Sequence, residues 1–94
     1  MIAVRDGSII ENSSISGGRE GVYLEDGTIK DSKIHSFRRK AMELDNSSSA
    51  TGNEIYDSQL DEDNQPYVQV YGNSSFKNNR IYSTSNTTKN WALY

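Results

Sequence analysis

The chain has 94 residues, enough for one small domain. Residues of the AVILMFWYC set make up 33%, which under-supplies a conventional two-layer core. With no cysteine, one histidine and a net charge of −3, the sequence excludes a disulfide scaffold, a thiolate metal site and a broad basic nucleic-acid surface. From the N-terminus, residues 1–5 lack the charged and apolar regions of a signal peptide. No apolar run is long enough to span a bilayer as a helix.

The elements then recur. An alternating triplet opens each unit: Ile2-Ala3-Val4, Val22-Tyr23-Leu24, Met42-Glu43-Leu44, Val68-Gln69-Val70 and Trp91-Ala92-Leu93. The outer positions are apolar and the middle one varies, which is the period of a half-buried strand. Turn formers follow, as Asp6-Gly7, Asp26-Gly27, Asn46-Ser47 and Gly72-Asn73. A second short strand closes each unit on an isoleucine, as in Phe76-Lys77-Asn78-Asn79-Arg80-Ile81-Tyr82. Val4 to Ile15, Leu44 to Ile55 and Val70 to Ile81 each span 11 residues, and Leu24 to Ile34 spans 10. The connections after Ile15, Ile34, Ile55 and Ile81 are the variable part. A constant unit with elastic connections is one turn of a coil. Low hydrophobicity alone would fit a disordered chain; the repeat argues for an all-β solenoid of about four rungs. They lie near residues 2–21, 22–41, 42–67 and 68–90, with a partial rung at 91–94, in one domain of residues 1–94.

This pattern resembles the right-handed parallel β-helix repeats of pectate-lyase-like proteins. The motif that carries the resemblance is a Ser or Asn two residues before an isoleucine: Ser13-Ser14-Ile15, Ser32-Lys33-Ile34, Asn53-Glu54-Ile55 and Asn79-Arg80-Ile81. Residues 18–24 and 52–58 look like rungs of alginate (mannuronan) epimerase catalytic modules, and phage tailspikes carry similar ones. The epimerases' Asp-Pro-His-Glu motif and their calcium-binding nonapeptides are missing. The only proline is Pro66 and the only histidine His35. The resemblance therefore implies polysaccharide binding at the exposed sheet and its flanking loops, in an extracellular or virion-surface protein.

In such a coil, equivalent positions stack about 4.8 Å apart. Val4, Leu24, Leu44, Val70 and Leu93 form one inward column, and Ile15, Ile34, Ile55 and Ile81 another. Ser13, Ser32, Asn53 and Asn79 also point inward and are expected to bond along the axis. Outward columns read Ala3, Tyr23, Glu43, Gln69, Ala92 and Arg5, Glu25, Asp45, Tyr71. Aromatic faces suit sugar C–H surfaces, and carboxylates or amides suit hydroxyls. Tyr23, Glu43, Gln69 and Tyr71 are the expected sugar strip. Arg38 and Arg39 are candidates to hold a uronate carboxylate; an inter-loop salt bridge is the alternative. Glu43 with Asp45 has the backbone spacing of a catalytic carboxylate pair. Asp57, Asp61, Glu62 and Asp63 are the candidate calcium ligands. On a third face, Glu54 lies between Lys33 and Arg80, and His35, Tyr56 and Tyr82 are expected to stack. The first and last rungs lack caps, so a longer parent chain or a homo-oligomer such as a trimer is expected, with Trp91 and Tyr94 as candidate contacts. A non-enzymatic structural or assembly module of a viral tail or fibre is the alternative to polysaccharide binding. A self-contained small enzyme is a third reading.

Overall fold

The alternating triplets form strands, and the turn formers stop them. In a computed structural model that describes residues 2–18, 20–37, 40–56 and 68–82, the first rung contains β1 (Ile2–Arg5), β2 (Ile9–Glu11) and β3 (Ser14–Ser16). The second contains β4 (Val22–Glu25), β5 (Thr28–Lys30) and β6 (Lys33–His35). The third contains β7 (Met42–Asp45), β8 (Ser49–Thr51) and β9 (Glu54–Tyr56). The fourth contains β10 (Val68–Val70), β11 (Ser75–Lys77) and β12 (Arg80–Tyr82). Among the described residues every regular element is a strand.

Each rung contributes one strand to each of three parallel, four-stranded sheets, ordered β1-β4-β7-β10, β2-β5-β8-β11 and β3-β6-β9-β12. The arrangement fits a β-helix-like solenoid. Its register is the one the repeat implies: Val4 pairs with Leu24, Leu24 with Leu44 and Leu44 with Val70. Ile15, Ile34, Ile55 and Ile81 form the matching column of the third sheet.

One expectation needs correction. The second half of each unit is two strands, not one. The chain bends between them at Asn12, Asp31, Gly52 and Asn78, all in the left-handed region at φ 52°, 51°, 69° and 56°. Asn, Asp and Gly tolerate that conformation best, which stops the strand at the same place in every rung. The bend creates the second sheet and a further inward column, Ile10, Ile29, Ala50 and Phe76, which the sequence reading did not assign.

The shared interior is apolar. Leu24, Ile29, Ile34, Met42, Leu44, Ala50, Ile55 and Val68 are fully buried. Each large aliphatic contributes about 1.5–3 kcal/mol through burial. Two polar ladders complete it. At the bend, Ser13 N donates to Ser32 Oγ (3.2 Å), Ser32 N to Asn53 Oδ1 (3.1 Å) and Asn53 N to Asn79 Oδ1 (2.8 Å). The Asn53 amide also donates to Ile29 O and to Asn79 Oδ1. Bending the chain frees these backbone groups from the sheets, and the stacked side chains satisfy them. The second ladder lies at the first turn, where Gly27 N donates to Ser48 Oγ and Ser48 N to Ser74 Oγ.

The 10-residue spacing of the second unit has a local cause. Its first turn is only Asp26-Gly27, where the first rung uses residues 6–8 and the third 46–48. A Cβ on residue 27 would lie 2.5 Å from the Val4 carbonyl oxygen, so the tight turn requires glycine.

Candidate functional site

The outer face of the first sheet carries the residues singled out by the sequence. Strand alternation turns Val22, Leu24, Met42 and Leu44 inward and leaves Tyr23, Glu25, Glu43 and Asp45 half-buried on the outside. Registration sets their neighbours. Ala3 pairs with Tyr23, Tyr23 with Glu43 and Glu43 with Gln69. In the adjacent column Arg5 pairs with Glu25 and Glu25 with Asp45. Tyr71 continues that column, because its N–H donates to Leu44 O at 2.8 Å. Tyr23, Glu43, Gln69 and Tyr71 therefore share one face, as expected.

The details differ from a uniformly solvated strip. Tyr71 is 43% exposed, whereas Gln69 is only 8% exposed. Gln69 Oε1 has no hydrogen-bond partner among the described residues. A buried amide oxygen without a donor is uncommon. The Tyr23 hydroxyl donates to Glu25 Oε2 at 3.2 Å, and the Arg5 guanidinium carbon lies 5.9 Å from the Tyr23 ring centroid. Glu43 is engaged by Lys40, with Nζ 2.8 Å from Oε1. Lys40 is held in place by its own backbone, which accepts from Gly21 N at 2.9 Å.

Glu25 and Asp45 are directly paired across β4 and β7. Asp45 Oδ1 accepts the Asn46 N–H at 2.9 Å, and Glu25 takes the Tyr23 hydroxyl. Among the described residues, neither has a cation at ion-pair distance. Two carboxylates facing each other across adjacent strands destabilise a sheet. Their field reaches Tyr23, whose phenol is raised above its ordinary 10.0. The causes are partial burial first, then the hydrogen bond to Glu25, then the charges of Glu25, Asp45 and Glu43.

The proposed catalytic pair, Glu43 and Asp45, is on this face, with Glu43 bound by Lys40 and Asp45 by a backbone amide. Glu25 and Glu43, a second carboxylate pair on this face, are not direct neighbours, because Glu25 faces Asp45. Among the described residues no group of three or more His, Asp or Glu side chains is arranged to hold a metal ion. Arg38 and Arg39, the calcium candidates Asp57, Asp61, Glu62 and Asp63, and the contact candidates Trp91 and Tyr94 lie outside the described residues.

The third sheet's outer face has a different arrangement. His35 and Tyr56 stack with centroids 4.6 Å apart, and Tyr56 and Tyr82 at 5.1 Å. Arg80 covers the Tyr82 ring at 4.5 Å. Lys33, Glu54 and Arg80 are in register, as expected. Glu54, however, accepts the Tyr82 hydroxyl at 3.0 Å and forms no ion pair with either cation. These ring faces are used on one another. The sequence reading missed the Glu25–Asp45 opposition as a feature, although the pairing of positions 25 and 45 follows from the repeat. No family model, curated protein or solved structure matches the chain.

Proposed function

We propose that the chain is a segment of a right-handed parallel β-helix of the pectate-lyase-like kind that binds a polysaccharide along the outer face of its first sheet. Tyr23, Glu43, Gln69 and Tyr71 are the contact residues. Such a segment belongs to a polysaccharide epimerase, a lyase or a tailspike-type protein, outside the cell or on a virion surface. Catalysis is not part of the proposal, since Lys40 holds the one carboxylate, Glu43, that lies in the tyrosine–amide column.

The observation that supports this reading is Gln69. Its carbonyl oxygen is buried on the outer face, beside Glu43, and has no donor among the described residues. Tyr71 follows it two residues on in the same rung, and Tyr23 lies two rungs away in its column. Two strand spacings and two residues along the strand put their backbones about 12 Å apart. A sugar supplies both things this surface lacks, hydroxyl donors for the amide and C–H faces for the rings.

The test is affinity electrophoresis of the whole chain in gels cast with a neutral or an acidic polysaccharide. Retardation by at least one is expected, with Tyr23→Ala and Tyr71→Ala each weakening it about tenfold, or ~1.4 kcal/mol. A folded chain that none of them retards refutes the reading.

The assembly-module reading is favoured by one observation. Ile2 and Ile9 on the first rung are 41% and 59% exposed, where β1, β2 and β3 have a partner strand on one side only. A stable oligomer together with no glycan binding would select it.

A further inference from the structure

We infer that the outer face of the first sheet is an acceptor surface, selective for an uncharged, hydroxyl-donating glycan over a carboxylate-bearing one. The inference rests on the polysaccharide reading and narrows its substrate class. It runs against the uronate ligand that Arg38 and Arg39 suggest in the sequence.

The inventory of polar atoms carries the argument. Glu25, Glu43, Asp45 and the Gln69 carbonyl all accept hydrogen bonds. The described donors on this face are Lys40, Arg5, the Gln69 amide nitrogen and the Tyr23 and Tyr71 hydroxyls, of which Lys40 and Tyr23 are engaged by the carboxylates. Lys40 donates to Glu43 at 2.8 Å, the Tyr23 hydroxyl donates to Glu25, and Arg5 lies over the Tyr23 ring. Gln69 Oε1 is left buried without a donor, in the same outward column as Glu43. Glu25 and Asp45 remain opposed without a cation among the described residues.

A single chelated cation does not suit the arrangement, because no three acidic or histidine side chains among the described residues converge on a point. Donors must arrive at several separate places along the strip, and a polyol does this. Each hydroxyl donates one hydrogen bond, and bonds to carboxylates are about twice as strong as neutral ones. A uronate brings a negative charge to a face whose three carboxylates outnumber its two described cations, Arg5 and Lys40. The Tyr23 phenol, raised first by partial burial and by its bond to Glu25, is raised further by the charges of Glu25, Asp45 and Glu43.

The experiment uses the whole chain and two sets of probes. Dextran, galactomannan and xyloglucan are the neutral gels, and polygalacturonate and polymannuronate the acidic ones. At low salt, the best neutral polysaccharide is expected to bind at least tenfold more tightly than either uronate, with the gap narrowing as salt screens the carboxylates. The Glu25→Gln/Asp45→Asn double variant is expected to bring the two sets within about threefold. Gln69→Leu is expected to lose about tenfold toward the neutral probe while circular dichroism stays unchanged. Uronate binding as tight as neutral binding, or a ratio unmoved in the double variant, would overturn the selectivity and leave the polysaccharide reading standing. No binding to any probe would remove both.

Discussion

On the third sheet, His35, Tyr56 and Tyr82 lie ring on ring, Arg80 covers the last of them, and Glu54 takes the Tyr82 hydroxyl. On the first sheet, Tyr23 and Tyr71 stand in different columns two rungs apart, two carboxylates face each other, and a buried amide oxygen lacks a donor among the described residues. Both faces are built from tyrosine, carboxylate and basic residues on parallel strands. One column of rings stacks on itself, and its last member, Tyr82, finds Glu54 and Arg80 in the neighbouring column. Where residue types change from rung to rung, Glu25 and Asp45 lack a cation and Gln69 Oε1 a donor among the described residues, and the Tyr71 ring stays exposed. A self-satisfied face adds stability; the first sheet's face instead leaves half-buried carboxylates and an exposed tyrosine for a ligand to meet.

The strongest test of that contrast is Tyr56→Ala, which removes both ring contacts of the central member of the stack. It is expected to cost about 2 kcal/mol by urea denaturation and to leave polysaccharide retardation unchanged. Loss of glycan binding in this variant, with the fold intact, would move the site to the third sheet. A smaller effect of opposite sign is expected on the first sheet. Glu25→Gln/Asp45→Asn relieves the opposed charges and should raise stability by about 0.5 kcal/mol at low salt, in the same protein whose glycan selectivity it reduces.

The smallest effect concerns alkaline pH. Tyr23 and Tyr82 are both raised above 10.0, each by partial burial first and then by a hydrogen bond to a carboxylate, Glu25 or Glu54. Arg80 offsets part of the rise at Tyr82, whereas Tyr23 has further carboxylates and no such relief. A raised phenol means that the folded state holds its proton more tightly than the unfolded chain. Stability from this source is therefore complete below pH 10 and is lost as pH climbs through the folded value. Phenolate absorbance should show these two tyrosines ionising above pH 10, and Arg80→Ala should delay Tyr82 further. Titration of Tyr82 at an ordinary value in that variant would show that the cation does not act on it.

Much of the fold was legible because a coil repeats its instructions. Four copies of an alternating triplet, a turn and an isoleucine fix which residues pair, and the Ser/Asn ladder followed from its position before each isoleucine. The bend at Asn12, Asp31, Gly52 and Asn78 was not read as a strand break, since Asn and Asp also occur within polar edges of strands. The serine ladder at the first turn was missed for a similar reason. Ser48 and Ser74 sit among other turn residues, and nothing in the sequence marks which hydroxyl points inward. At the candidate site, membership of the face was legible from alternation alone. Burial of Gln69 and capture of Glu43 by Lys40 were not, because alternation sets the face a residue takes and not the conformation of the side chains around it.

The sequence by itself determined the period, the register and the identity of the inward columns, because hydrophobic alternation and turn chemistry are local and recur along the chain. Tertiary structure decided that there are three sheets and which polar groups on the outer faces find partners. The sheets, and cross-rung partners such as Glu54 with Tyr82, depend on residues 19 or more apart in the chain, which only the stacking of one rung on the next brings together.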